Sequence, residues 1–412
     1  MSLDLTIRNA SYGKGADEAV DIGVAAGRIV AVETNLPPGL EDFDAGGRLV
    51  VPGFVETHVH LDKACILDRC QAEGSLAEAI AEVSRLKGRF TEEDVAARAS
   101  KALRKCIVHG TTVMRTHVEV DPVIGLRGFD GVKMAARDHA WAIDVEICVF
   151  PQEGMLNNGG TEELMIAALE QGARVVGAAP YTDSDPHGQI DRVFALARRF
   201  DVDIDMHLDF DADPTNLDVE HVCRRADEHR WGGRVTVGHV TKLSFLRPNR
   251  LAEIGALLAR SGVAVTVLPA TDLFLGAPKH DHAIPRGVAP AHTLLQHGVT
   301  CSLSTNNILN PFTPFGDGSL VRMANLYANV GRIGGREGMA ACLDMVTGNA
   351  ARLINRSDYG IAVGKPADVV VLDCQDRSDA VAELAPPMIG FKAGRRTFTR
   401  PLPVLHAPTR GV

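Results

Sequence analysis

Two histidines one residue apart, His58 and His60, close an apolar run that begins Val51-Pro-Gly-Phe-Val. On a strand, residues i and i+2 point to the same face, so both imidazoles can meet one metal ion. Neutral imidazole ligates zinc and iron alike. Further polar residues stand at the ends of later apolar runs. His117 follows Arg115-Thr, His207 follows Asp205-Met with Asp209 two residues on, and His239 follows Val237-Gly. Gln152 and Glu153 come after Cys148-Val-Phe-Pro, Asp272 after Leu268-Pro-Ala-Thr, and Asn306-Asn307 after Leu303-Ser-Thr. Such a set suits hydrolysis: a divalent ion lowers the pKa of water to about 7 and polarises an electrophile. A positioned base and acid complete that chemistry.

The elements that must bring these residues together alternate strand and helix. Strand-like runs lie near 52–58, 111–117, 143–150, 174–179, 202–207, 234–239, 263–268 and 299–304. Helix-length segments separate them, with start and stop signals such as Thr91-Glu-Glu-Asp, Thr161-Glu-Glu-Leu, Gly172 and Gly298. The pattern predicts an α/β fold, a (β/α)8 TIM barrel over residues 51–354, with function at the carboxyl ends of its strands. An open doubly wound sheet fits the alternation too, but no Gly-rich phosphate loop follows any strand. Short strand signals at 3–50 include Leu5-Thr-Ile-Arg, Asp21-Ile-Gly-Val, Arg28-Ile-Val-Ala-Val and Arg48-Leu-Val-Val, read as one small antiparallel sheet. More strand signals return in Ala367-Asp-Val-Val-Val-Leu-Asp and in 388–400. Neither terminal set can bury a core alone, so residues 1–50 and 355–412 are expected to pair into one composite β-sandwich domain.

Composition narrows the partners. The 412 residues are 45% hydrophobic and carry a formal charge of -9, without a basic block or stripe, which argues against nucleic acid or an anionic membrane. No apolar stretch reaches the roughly 18 residues that a membrane span needs. The Met-Ser-Leu-Asp start shows no signal-peptide pattern. Eight cysteines lie scattered without a CxxC pair, so a reducing cytoplasm is expected. The expected partner is a small-molecule substrate.

These residues also carry a family resemblance. Pro52-Gly-Phe-Val-Glu-Thr-His-Val-His, Asp205-Met-His207, Val237-Gly-His239 and Tyr359-Gly-Ile-Ala-Val-Gly-Lys-Pro-Ala-Asp-Val-Val-Val-Leu resemble the amidohydrolase superfamily. His58-Val-His-Leu-Asp-Lys63, Arg115-Thr-His-Val, Phe150-Pro-Gln-Glu-Gly154 and Asn310-Pro-Phe-Thr-Pro-Phe-Gly316 resemble the branch of cytosine deaminase and isopropylammelide amidohydrolase. The resemblance covers nearly the whole chain. It implies a barrel with a composite β domain, one divalent metal ion (zinc or iron), and hydrolysis of a non-peptide C–N bond in a small heterocycle. By position it makes His58, His60 and His207 metal ligands, places His239 beside the attacking water, and gives Gln152 the substrate ring. Lys63, His117, Asn307 and Phe312 would shape or contact the substrate. Binuclear relatives carry a bridging lysine late on strand four, which Arg174-Val-Val-Gly-Ala-Ala-Pro180 lacks. The resemblance also leaves room for a homo-oligomer.

The pattern breaks at two points. Asn306 stands where the deaminases have a metal-touching aspartate that serves as base, and Phe210 where cytosine deaminase has a proton-shuttling glutamate. An asparagine oxygen can lean toward a metal, but the amide accepts no proton at neutral pH. The expectation is therefore a hydrolase with a reassigned base, His239 or Asp209, in which Phe210 lines an apolar pocket. The alternative is a metal-binding or ligand-binding pseudoenzyme.

Overall fold

The computed structural model describes residues 2–11, 19–71, 74–276 and 281–406. Eight parallel strands follow one another around a barrel in chain order: Phe54–Val59, Thr111–Glu119, Asp144–Phe150, Val175–Val176, Asp203–Leu208, Val235–His239, Val263–Val267 and Cys301–Leu303. The eighth closes on the first. Asn306 N–H donates to the His58 carbonyl at 2.9 Å, and His60 N–H donates to the Asn306 carbonyl at 2.8 Å. Asn306 is therefore stitched between the two strand-one histidines, at a φ of 59° that asparagine tolerates better than most residues.

Helices cover the barrel because their sequences carry one apolar stripe each. In Glu92–Val108, Val95, Ala99, Ala102, Leu103 and Cys106 face the core, and the Thr91 hydroxyl accepts from Asp94 N–H at 3.2 Å as its N-cap. The buried apolar residues of strands and helices form one continuous cluster.

The termini form two four-stranded sheets. One contains Leu5–Ala10, Val20–Ala25, Arg28–Glu33 and Glu41–Asp44; the other contains Val50–Pro52, Val369–Leu372, Pro387–Lys392 and Arg395–Thr399. Ile7, Ile22, Val24 and Ile29 of the first share a buried cluster with Val50, Val369, Val371, Ile389 and Phe391 of the second. One expectation is corrected here. The Arg48-Leu-Val-Val run does not complete the N-terminal sheet; Val50–Pro52 pairs antiparallel with Val369–Leu372 instead. The missing strand is Glu41–Asp44, parallel to Leu5–Ala10. Its Glu-Asp-Phe-Asp sequence has only Phe43 packed against the core, so apolar alternation could not reveal it. Among the described residues, no helix is long and apolar enough to cross a membrane.

Candidate active site

At the carboxyl end of the barrel three imidazoles converge. The Nε2 atom of His207 lies 3.1 Å from Nε2 of His58 and 3.0 Å from Nε2 of His60. Ligand nitrogens held about 2.0–2.1 Å from one tetrahedral metal lie about 3.3 Å apart, close to these separations. The Nδ1 atoms of all three rings and Oδ1 of Asn306 are buried without hydrogen-bond partners. Neutral imidazole nitrogens and an amide oxygen are donors that suit a divalent ion. Burial, and then neighbouring positive charge, hold His58 down to about 3 and His60 and His207 well below the usual histidine value. Neutral rings keep their lone pairs for a metal.

His58, His117 and His207 also place ring nitrogens within 4.8 Å of one another. His60 is the other candidate for the third ligand. Its Nε2 reaches His207 and its ring lines the cavity, whereas neither His117 nor His58 lines it. The His117 ring stacks on His58 at 3.7 Å, and its Nε2 lies 3.4 Å from Oδ1 of Asp205. The expected substrate contact of His117 is thus corrected to a buried support for the His58 ring. Asp205 sits 3.5 Å from His58 Nδ1 and accepts from Arg115 at 3.1 Å. Burial pushes its carboxyl up, but His117 and His58 bring it far below the usual range. Ligand imidazoles are commonly oriented by a carboxylate in this way.

A narrow cavity of about 10 Å³ opens over His60 and His207. His239, Asn306, Asn307, Lys63, Gln152 and Phe312 all line it, as expected from the sequence. Asn307 Oδ1 accepts from Asn310 at 2.7 Å, which holds the loop rather than leaving that oxygen free. Phe210 also lines the cavity and meets the edge of His239 at 4.9 Å, an apolar wall beside an imidazole. Lys63 lies over the Phe312 ring at 4.8 Å and donates to Gln152 Oε1 at 3.0 Å. A larger groove beside Val51, Thr347 and Tyr359, at the start of strand one, contains none of the histidines.

The decisive pair is His239 and Asp272. His239 Nδ1 lies 2.6 Å from Asp272 Oδ1, and its Nε2 lies 3.4 Å from Asn306 Nδ2. Asp272 is fully buried. Burial raises its carboxyl above the usual value, and the neighbouring His239 works in the opposite direction. An acceptor at Nδ1 places the proton there and leaves the Nε2 lone pair facing the cavity. The sequence places Asp272 among the residues past strand ends but does not pair it with His239. The only available signal was its place just past strand seven. Tyr181, which follows strand four, lines the cavity beside Gln152, although its position alone gave it no role.

Asp209 does not join this site. Its φ of 50° ends strand five and breaks the alternation that would have aligned it with His207. Its two oxygens accept the N–H groups of Asp218 and Val219 at 2.9 and 3.0 Å, at the start of helix Asp218–His229. Burial pushes its carboxyl up to about 6, against the pull of those N–H groups. The expectation of a catalytic Asp209 is corrected to a helix anchor, since both oxygens are engaged outside the cavity.

The sequence matches the model of the amidohydrolase family over residues 41–143 and 89–387. This chain belongs to the amidohydrolase family. It is 28% identical over 402 residues to N-isopropylammelide isopropyl amidohydrolase of Pseudomonas sp. (strain ADP), covering 95% of this chain and 96% of that one. It is 28% identical over 393 residues to the pterin deaminase of Rhizobium rhizogenes, covering 93% and 88%. The structure of 5-methylcytosine deaminase from Klebsiella pneumoniae with 5-fluorocytosine superposes with a TM-score of 0.93 at 27% identity, covering 98% and 99%. The TIM barrel, the terminal sheets and the histidine cluster of this amidohydrolase are those of an enzyme family acting on C–N bonds.

Proposed function

We propose that this amidohydrolase hydrolyses a non-peptide C–N bond of a small heterocycle, using His239 as the proton carrier. The observation that carries the reading is the buried 2.6 Å contact of His239 with Asp272, next to the three converging imidazoles. His58, His60 and His207, with Asn306 Oδ1 as oxygen donor, would hold one divalent ion, zinc or iron. A metal there supplies Lewis-acid activation of water and of the electrophile at neutral pH.

The chain's own residues supply the rest. Asp272 keeps the proton on Nδ1 of His239, so Nε2 can take one from the attacking water and pass it to the leaving nitrogen. Lys63 and Gln152 orient the ring from the opposite wall, and Phe210 excludes water around His239. Asn306 cannot serve as base, which is why the Asp272-held imidazole takes that role here.

The test combines metal analysis with turnover of a panel of amino- and alkylamino-substituted pyrimidines, triazines and pterins. The expected result is bound zinc or iron, turnover of at least one ring, and a fall of about 10²–10⁴-fold in His239→Gln. Unchanged turnover in that variant would overturn the assignment. The second reading, a ligand-binding pseudoenzyme, is favoured by Asn306 and Phe210 at the two carboxylate positions. A metal-loaded protein that binds rings from the panel and turns over none would establish it.

A further inference from the structure

Behind the ring-reading wall lies a buried chain of charges that the chemistry above does not use. Lys63 Nζ lies 3.0 Å from Gln152 Oε1 and 3.4 Å from Glu119 Oε2. The other oxygen of Glu119 receives Lys87 Nζ at 2.5 Å, and Lys87 also pairs with Asp121 and Glu153. Lys63, Lys87, Glu119 and Asp121 are all at least 98% buried. Glu119, Asp121 and Glu153 come close enough to suggest a cation site, but the Lys87 ammonium already fills the space between them. Burial pushes Glu119 up, and the two lysines more than reverse this, so it stays ionised.

Such a chain has a geometric consequence. A lysine ammonium has only donors, so the Gln152 atom facing it must be the carbonyl oxygen. The amide nitrogen then has one direction left. Gln152 Nε2 is buried without a hydrogen-bond partner, and Gln152 lines the cavity. Tyr181, which also lines the cavity, stands beside this amide. Without Lys63 held in place, a glutamine amide could rotate and offer either atom. Glu119 holds Lys63, and Lys87 holds Glu119 in its ionised, correctly turned form.

We propose that Lys87 and Glu119, neither of which lines the cavity, lock the Gln152 amide with its NH2 inward and so select rings bearing an oxo group at that edge. They are positioning residues, and the substrate class they imply is an oxo-heterocycle rather than one with an amino group there. This rests on the heterocycle reading above.

The test measures binding, not turnover, on zinc-loaded protein. Titration of 2-pyrimidinone and 2-aminopyrimidine, followed by calorimetry or by NMR of the ligand, compares an oxo with an amino group on one ring. The native protein should bind the oxo ring at least about tenfold more tightly, since the amino ring leaves Gln152 Nε2 facing a donor. Glu119→Gln and Lys87→Met should bring the two affinities to within about twofold of each other, and Lys87→Arg should restore the preference. General loosening of the fold would weaken both rings together and leave their ratio alone. A folded, zinc-loaded Glu119→Gln protein with the native ratio overturns the proposal, as does a native preference for the amino ring. Should Lys87→Met fail to fold, the Glu119→Gln ratio decides. Absence of binding by either ring to native protein overturns the heterocycle reading itself, which separates the two failures.

Discussion

At the residue scale, the proposed base is His239, an imidazole that the Asp272 carboxylate holds. Asp272→Asn keeps the shape of the side chain but can present an N–H to His239 Nδ1, favouring the wrong tautomer. Turnover should fall by about 10²–10⁴-fold. Metal content should not change, because Asp272 touches none of the three converging imidazoles; elemental analysis beside steady-state kinetics checks both. A variant that loses metal and activity together would place Asp272 in support of the metal centre instead. Gln152 and Lys63 were legible as pocket residues from their positions after strand ends, and Phe312 only from the family resemblance. Asp272 was not, because a carboxylate just past a strand end reads the same whether it is solvated or buried.

At the element scale, strand ends and helix starts decide which polar residues reach the centre. Asp209 and His239 both follow barrel strands, yet only one faces the cavity. Asp209→Ala should lower stability by about 1–2 kcal/mol, the cost of a lost N-terminal helix acceptor, with turnover within a few-fold of native. Denaturant titration alongside kinetics measures this, and a loss of two orders of magnitude in turnover would return Asp209 to the chemistry. Strand six makes a second demand. A Cβ on Gly238 would come within 3.0 Å of Cε1 and 3.1 Å of Nδ1 in His58. Gly238→Ala should turn the His58 ring and weaken metal affinity by about 10–100-fold, read by competition with a chelator.

At the scale of the whole molecule, the terminal sheets are tied to the barrel by charge as well as by packing. Asp144, at the start of strand three, accepts from Lys392 at 3.0 Å and from Arg356 at 2.8 Å. Lys392 also donates to Asp368 at 2.6 Å. Burial raises the Asp144 carboxyl, but Lys392 and Arg356 outweigh it and hold the pKa below the ordinary 3.8. A lowered carboxyl contributes stability above its unfolded pKa and loses it as pH falls through the folded one. Asp144→Asn should therefore cost about 1 kcal/mol near neutrality, discounted because the aspartate is partly exposed. The difference between native and variant should shrink between about pH 5 and pH 3, in thermal unfolding followed across that range. A gap that stays constant on acidification would mean that the contact acts through packing alone.

The sequence by itself determined the barrel, because eight apolar runs and their capped helices carry periodicities that local sterics enforce. It also determined two candidate ligand histidines, since strand alternation makes His58 and His60 share a face whatever surrounds them. It could not show which carboxylates serve those histidines. Asp205 is brought to His58 across the barrel, Asp272 to His239 from the short helix Pro269–Leu275 after the next strand, and Glu119 to Lys63 from the second strand. Each pairing joins residues more than 30 positions apart, so only chain closure brings them together. The turn at Asp209 is a further decision of the tertiary structure, where a left-handed φ overrides the alternation that a strand would impose.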